Sequence, residues 1–318
     1  MENGDMDEKP GWERRLLEKL AMESLVEQRR RRRWGVFFKS LSFLFIGVVL
    51  FQALELGGSG DSLSDGKRHT ALVHLDGVIR DKSEASAERV MEALNNAFSD
   101  KGTAGVLLRI NSPGGSPVQS GMIYDEMRRL RAKYPKIPLY VVVEDICASG
   151  GYYVAAAADS IYVDKASIIG SIGVLMDGFG FVGTMEKLGV ERRLLTAGDN
   201  KGFLDPFSPQ QGKQTEHARE MLSEVHQQFI EAVRKGRGKR LKETPDMFSG
   251  LMWSGAKGVE LGLADGLGTV DFVAREVIKA EEIRDYTLKR TFAERFAGEL
   301  GSRAADSLTS ALGRWTMR

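Results

Sequence analysis

The stretch DICASGGYYVAAAADS, residues 145–160, follows the apolar run PLYVVVE and leads into the helix-like run YYVAAAA. Ser149 therefore sits where a buried strand becomes a helix. Backbone N–H groups cluster at such a junction, and a helix N-terminus favours developing negative charge. Two readings are open for Ser149: a structural helix cap, for which serine is well suited, or a nucleophile. A second stretch, RINSPGGSP at 109–117, also follows an apolar strand. Its glycines let a backbone N–H point outward with no Cβ in the way, as an oxyanion site requires, although a tight strand-to-helix turn uses the same residues. A third, TAGDNKGFLDPFSP at 196–209, is a polar loop carrying Lys201. By itself that lysine reads as a solvated side chain.

Other chemistries find little support. Cys147 is the only cysteine, which excludes an intrachain disulfide and a cysteine-cluster metal site. The four histidines, His69, His74, His217 and His226, include no close pair at helical metal-ligand spacing, so no metal and no cofactor is expected. Cys147, two residues from Ser149, reads as a small buried thiol.

These residues must be held by something, and the chain offers one domain. Its 318 residues, 42% hydrophobic and 28% charged, suit a globular domain of roughly 200 residues with extensions. A formal charge of +1 points to no partner, but its distribution does. Five arginines at 29–33 abut WGVFFKSLSFLFIGVVLFQALEL at 34–56, in which about 19 mostly apolar positions would extend about 30 Å as a helix. The positive-inside rule places such an arm in the cytoplasm and everything after residue 56 on the far side. The charged region is too long for an ordinary cleaved signal peptide, and the arginines serve topology better than nucleic-acid binding. The reading is a cytoplasmic basic arm (1–33), a transmembrane signal anchor (34–56), a flexible linker (57–68), a catalytic-size domain (69–283) and a charged tail (284–318). Within the arm, Leu16 and Leu20 share a helical face, which fits a membrane-surface helix or a solvated one.

From His69 strands and helices alternate. TALVHLDGVI, AGVLLRI, PLYVVVE, SIYV, SIIGSIGVLM and VERRLLTA read as strands. SAERVMEALNNAF, SGMIYDEMRRLRAKY, Gly150 to Ala158, GFVGTMEKLG and a long segment from PQQGKQ to VRKG read as helices. Continuous apolar strands alternating with helices specify an α/β domain with a largely parallel sheet.

Taken in order, SPGG, a strand with ASGGYY, GSIGV at 170–174 and GDNKGFLDPF closely resemble the signal peptide peptidase A family. MWSGAKGVELGLADGLG at 252–268 looks like that family's closing segment, so the resemblance covers residues of about 70 to 283. It implies a ClpP/crotonase-like domain preceded by one transmembrane helix, in the short, single-repeat form, on the bacterial cytoplasmic (inner) membrane. Carried over by position, Ser149 would be the nucleophile and Lys201 its general base. Ser171 in GSIGV would orient the lysine. Gly115, or alternatively Gly114, would supply one oxyanion N–H and Gly150 the other. The family also implies a homo-oligomeric ring in which neighbouring chains complete the sites, and peptide substrates such as released signal peptides and unfolded chains. The lysine loop, DNKGFLDP, departs from commoner forms, yet Lys201 is the only lysine near that point before DPF.

The chemistry is coherent apart from the resemblance. A serine hydroxyl needs a base to take its proton, and a lysine serves only when neutral, through desolvation or nearby positive charge. Serine–lysine pairs are a known variant of the serine–histidine–aspartate arrangement. The rivals are a Ser-His-Asp peptidase using His217 or His226, a crotonase-type acyl-CoA enzyme, and a catalytically inactive membrane scaffold that binds peptides.

Overall fold

The computed structural model describes Met22, Glu27 and residues 29–48 and 67–288. The chain divides into two units, residues 1–65 and 66–318. In the first, residues 29–48 form a helix (α1) with exposed side chains, on which the Trp34 and Phe38 rings stack 5.7 Å apart. Among the described residues no helix is long and apolar enough to cross a membrane. Residues 49–56 of the expected span, most of the arm, nearly all of the linker and the tail beyond 288 lie outside the described residues.

The second unit is the expected α/β domain. Its elements run β1 (His69–Asp76), α2 (Ala87–Ser99), β2 (Thr103–Ser112), α3 (Pro117–Lys133), β3 (Leu139–Ala148), α4 (Gly150–Ala155), β4 (Ser160–Val163) and β5 (Ile168–Gly170). There follow α5 (Val182–Leu188), α6 (Gly212–Arg237), β6 (Met252–Ser254), α7 (Gly255–Glu260), β7 (Gly266–Leu267) and β8 (Ile283–Asp285). The sheet order is β6-β5-β3-β2-β1-β8, with β4 also beside β3 and β7 beside β4. Every pairing is parallel except β5 with β6.

Sequence explains the layers. In α2, Val90, Ala93, Leu94, Ala97 and Phe98 recur at helical spacing and are buried. In α3 the buried set is Ile123, Tyr124, Met127 and Leu130. The central strand β2 is apolar on both faces: Val106, Leu108 and Ile110 join the main core, while Leu107 packs with Leu72, Val142 and Ile278 on the other side. That two-sided burial is why its sequence reads as an unbroken apolar run.

The strand β3 changes partner along its length. Tyr140–Val142 pair with β4, whereas Ile146–Ala148 pair with β5. Between these halves the register with β2 shifts, from Ile110 opposite Val143 to Ser112 opposite Cys147. The irregularity bends the strand and re-aims its end, which is where Ser149 stands.

Two strand expectations need correction. Only Ile168–Gly170 of SIIGSIGVLM is strand, and VERRLLTA at 190–197 is not strand at all. A strand requires a partner for its backbone groups, and β6 already occupies the β5 edge. The domain also runs past the boundary expected at 283. Strand β8 pairs with Thr70–Leu72 of β1, and the Tyr286 hydroxyl donates to Asp100 Oδ2 at 2.8 Å and meets His69 Nε2 at 3.0 Å.

Candidate active site

Ser149 occupies a strained corner. Its backbone has φ 50° and ψ −123°, a region that non-glycine residues rarely adopt. The conformation is held from both sides: its N–H donates to the Gly170 carbonyl at 2.9 Å and its carbonyl accepts from the Tyr153 N–H at 3.0 Å. The side chain makes no capping hydrogen bond to α4. A sharp strand-to-helix turn of this kind lifts a serine hydroxyl above the sheet end, as nucleophile elbows do. The capping alternative is thereby removed.

The SPGG loop lies against this corner. Gly114 has φ 102°, and a Cβ there would fall 2.7 Å from the Gly150 nitrogen and 2.8 Å from the Ser149 Cβ. A side chain at 114 would therefore displace Ser149. The Gly114 N–H is already used, donating to Ser112 Oγ at 3.1 Å. Gly115, with φ 149°, forms a bridge to Ile79 through neighbouring backbone groups: Ile79 N–H to Gly114 O and Ser116 N–H to Ile79 O, each 2.8 Å. That pattern leaves the Gly115 N–H without an acceptor among the described residues. The Gly150 N–H, first in α4, also has none there, and a Cβ on Gly150 would stand 3.2 Å from the Gly115 nitrogen. Gly115 and Gly150 thus place two free backbone donors side by side, and Gly114 supplies room rather than a donor.

Ser149, Gly115, Gly150 and Ser171 line one cavity of about 740 Å³. Ser171, like Ser149, has φ 50°, and its N–H donates to Leu251 O at 2.8 Å. The apolar walls come from α3 (Val118 and Met122), from α6 (Val225 and Phe229) and from Val174 and Leu175. Lys201 is not among the lining residues. It is exposed, in a turn where its N–H donates to Gly198 O at 3.1 Å. One chain therefore assembles the serine and two free backbone N–H groups but does not bring the lysine to them.

The histidines stand apart too. His217 is exposed and 3.7 Å from Glu220, while the His226 ring meets the Ile172 carbonyl at 3.1 Å. Neither lines the cavity. Cys147 is fully buried, and desolvation pushes its thiol pKa up, so it is inert as a thiolate. No group of three or more His, Cys, Asp or Glu among the described residues is arranged to hold a metal. Sequence reasoning missed the supports: Ser112 Oγ also donates to Gly77 O at 2.6 Å, tying the glycine loop to the end of β1. The serine of NSPGG was the available signal.

Comparison with known proteins follows the same geometry. The sequence profile of Peptidase family S49 matches residues 131–284, and that of Clp protease matches residues 70–167. A Methanocaldococcus jannaschii protein named as a protease is 30% identical over 260 residues, covering 77% of this chain and 82% of that one. The chain belongs to peptidase family S49. Another relative of this S49 chain, from Enterococcus faecium and carrying the name signal peptide peptidase SppA, is 29% identical over 238 residues, 72% of this chain and 69% of its own. A Brucella melitensis protein named Na(+)/H(+) antiporter NhaA is 49% identical over 175 residues, 55% of this chain. The S49 chain spans only 24% of that Brucella protein.

Proposed function

We propose that the chain is a membrane-anchored serine endopeptidase that uses Ser149 as nucleophile and Lys201 as general base. The observation that carries this reading is the strained Ser149 facing a mostly apolar cavity, beside the unused N–H groups of Gly115 and Gly150. Neutral lysine takes the Ser149 proton as Oγ attacks the peptide carbonyl, and the two N–H groups receive the oxyanion. The proton then passes to the leaving amine, and water hydrolyses the acyl-serine. The Ser171 hydroxyl orients the lysine.

Lys201 reaches Ser149 of an adjacent chain in a homo-oligomeric ring. Support comes from residues 174–211, which carry Leu175, Phe179, Leu188 and Leu195 at 72–97% exposure. Apolar surface on that scale marks an association face. The substrates are unfolded apolar segments, released signal peptides included, which fit the apolar walls of the cavity. Profiling a peptide library with the intact protein tests this. Cleavage should fall within apolar stretches beside small residues; equal cleavage of folded proteins, or a strict need for Arg or Lys immediately before the cut, would contradict it.

The anchor is the span at 34–56, in the bacterial cytoplasmic (inner) membrane, with the catalytic domain extracytoplasmic. Every apolar side chain described on α1 is exposed, as a lipid-facing surface would be. A periplasm-active reporter fused after residue 70 should therefore be active, and activity only of a cytoplasmic reporter at that point would reverse the topology.

A further inference from the structure

Among the described residues one charged side chain lines the cavity, and neither the proposed nucleophile nor the proposed oxyanion donors require it. Pro117, Val118, Gly121, Met122 and Asp125 lie on one face of α3, spaced so that all five border the cleft. The face begins next to Gly115 and ends at Asp125. The Asp125 carboxylate is in no ion pair or hydrogen bond among the described residues, whereas its neighbours Glu126 and Arg129 pair at 2.7 Å. Tyr153 and Phe229, with ring centroids 4.9 Å apart, line the same cavity. Burial, and then the charge of the Asp125 carboxylate, push the Tyr153 hydroxyl pKa up. A cleft lined by an unpaired carboxylate and by aromatic rings is a receptor for an ammonium or guanidinium group, through ion pairing and cation–π attraction.

We propose that Asp125 is a specificity-determining residue that selects substrates carrying a lysine or arginine a few residues from the scissile bond, within an otherwise apolar segment. This rests on the peptidase reading given above. The distance follows from helix geometry. Eight residues of α3 separate Pro117 from Asp125, about 12 Å at 1.5 Å per residue. An extended substrate advances about 3.3 Å per residue, and a lysine side chain adds reach, so the basic residue lies roughly two to four positions from the cut. Apolar segments preceded by basic residues are the composition of secretory signal peptides, so the cleft would match that substrate class in charge as well as in hydrophobicity.

The test is a set of apolar peptides in which one lysine, or its uncharged isostere norleucine, is moved through the positions around the cut. The wild-type protein should favour lysine over norleucine by roughly five- to tenfold in kcat/KM at one such position. Asp125→Asn should erase that ratio, bringing kcat/KM for the lysine peptide down to that for the norleucine peptide. Asp125→Lys should favour glutamate there instead. An unchanged lysine preference in Asp125→Asn would overturn the inference while leaving the peptidase reading intact. Failure of wild-type protein to cleave any of the peptides would overturn both. A change in oligomer size in Asp125→Asn would assign the carboxylate to a subunit contact and also overturn the inference.

Discussion

Ser149→Ala and Lys201→Ala should each lower peptide hydrolysis by roughly 10⁴-fold or more, with fold and assembly unchanged. Both groups act on one proton transfer, so the double variant should be no worse than either single one. Lys201→Arg should fail as well, because a guanidinium does not surrender its proton in this range. Because Lys201 lies outside the cavity that holds Ser149 in its own chain, the two inactive variants should complement each other. In rings assembled from an equal mixture, about one quarter of the junctions would pair an intact serine with an intact lysine. Activity should return to that level after dissociation and reassembly. No recovery, in rings shown by size to be mixed, would place both groups in one chain. His217→Ala and His226→Ala should stay active, since neither ring faces the cavity. Full activity in Lys201→Ala with loss in either histidine variant would revive a histidine-based triad. Assembly must be measured on every variant, because a lost ring would itself abolish a shared site.

The second large effect concerns stability, at the base of α6. The Arg237 side chain is fully buried; its Nη1 donates to Asp265 Oδ2 at 2.8 Å and its Nε to the Gly262 carbonyl at 2.9 Å. Asp265 also accepts from the Ile161 N–H at 2.7 Å and from Arg240 at 3.1 Å, joining α6 to β4 and to the segment before β7. Asp265→Asn should cost about 3–5 kcal/mol, because it strands a buried guanidinium whose Nη2 already lacks a partner. Replacing the pair by Arg237→Met with Asp265→Leu should cost less than Asp265→Asn alone, because no buried charge is left unpaired. Equal or additive losses would refute that account.

The same pair sets an acid limb. Burial would raise the Asp265 pKa, but hydrogen bonding and charge from Arg237, then the Ile161 N–H and Arg240, outweigh it, and the net shift is downward. A carboxylate depressed in the folded state contributes stability that is complete above its unfolded value of about 3.9 and is lost as pH falls through the folded pKa. Urea midpoints measured downward from neutral pH should therefore drop below about pH 4 in wild type, and drop less steeply in Asp265→Asn.

The sequence alone determined the alternation of strands and helices, because apolar periodicity is a local property: Val90 to Phe98 mark the buried face of α2 whatever they pack against. It also marked Ser149, since a serine and two glycines after an apolar strand restrict the turn that can follow. It could not tell whether the Ser149 side chain caps α4. That depended on φ at Ser149, which is held by a hydrogen bond to Gly170, a residue contributed by β5. Nor could it show which N–H of Gly114 and Gly115 is taken: that of Gly114 donates to Ser112 Oγ, and that of Gly115 has no acceptor among the described residues. The apolar pattern of VERRLLTA promised a strand, but strand pairing is non-local, and the edge it would need belongs to β6. Asp125 was invisible for the same reason. An acidic residue on an exposed helical face is ordinary by sequence, and only the packing of α3, α4 and α6 around one cavity makes it the single charge lining the cleft among the described residues. Lys201 is the reverse case: its motif was legible, yet the fold of one chain leaves it outside the cavity that Ser149 lines.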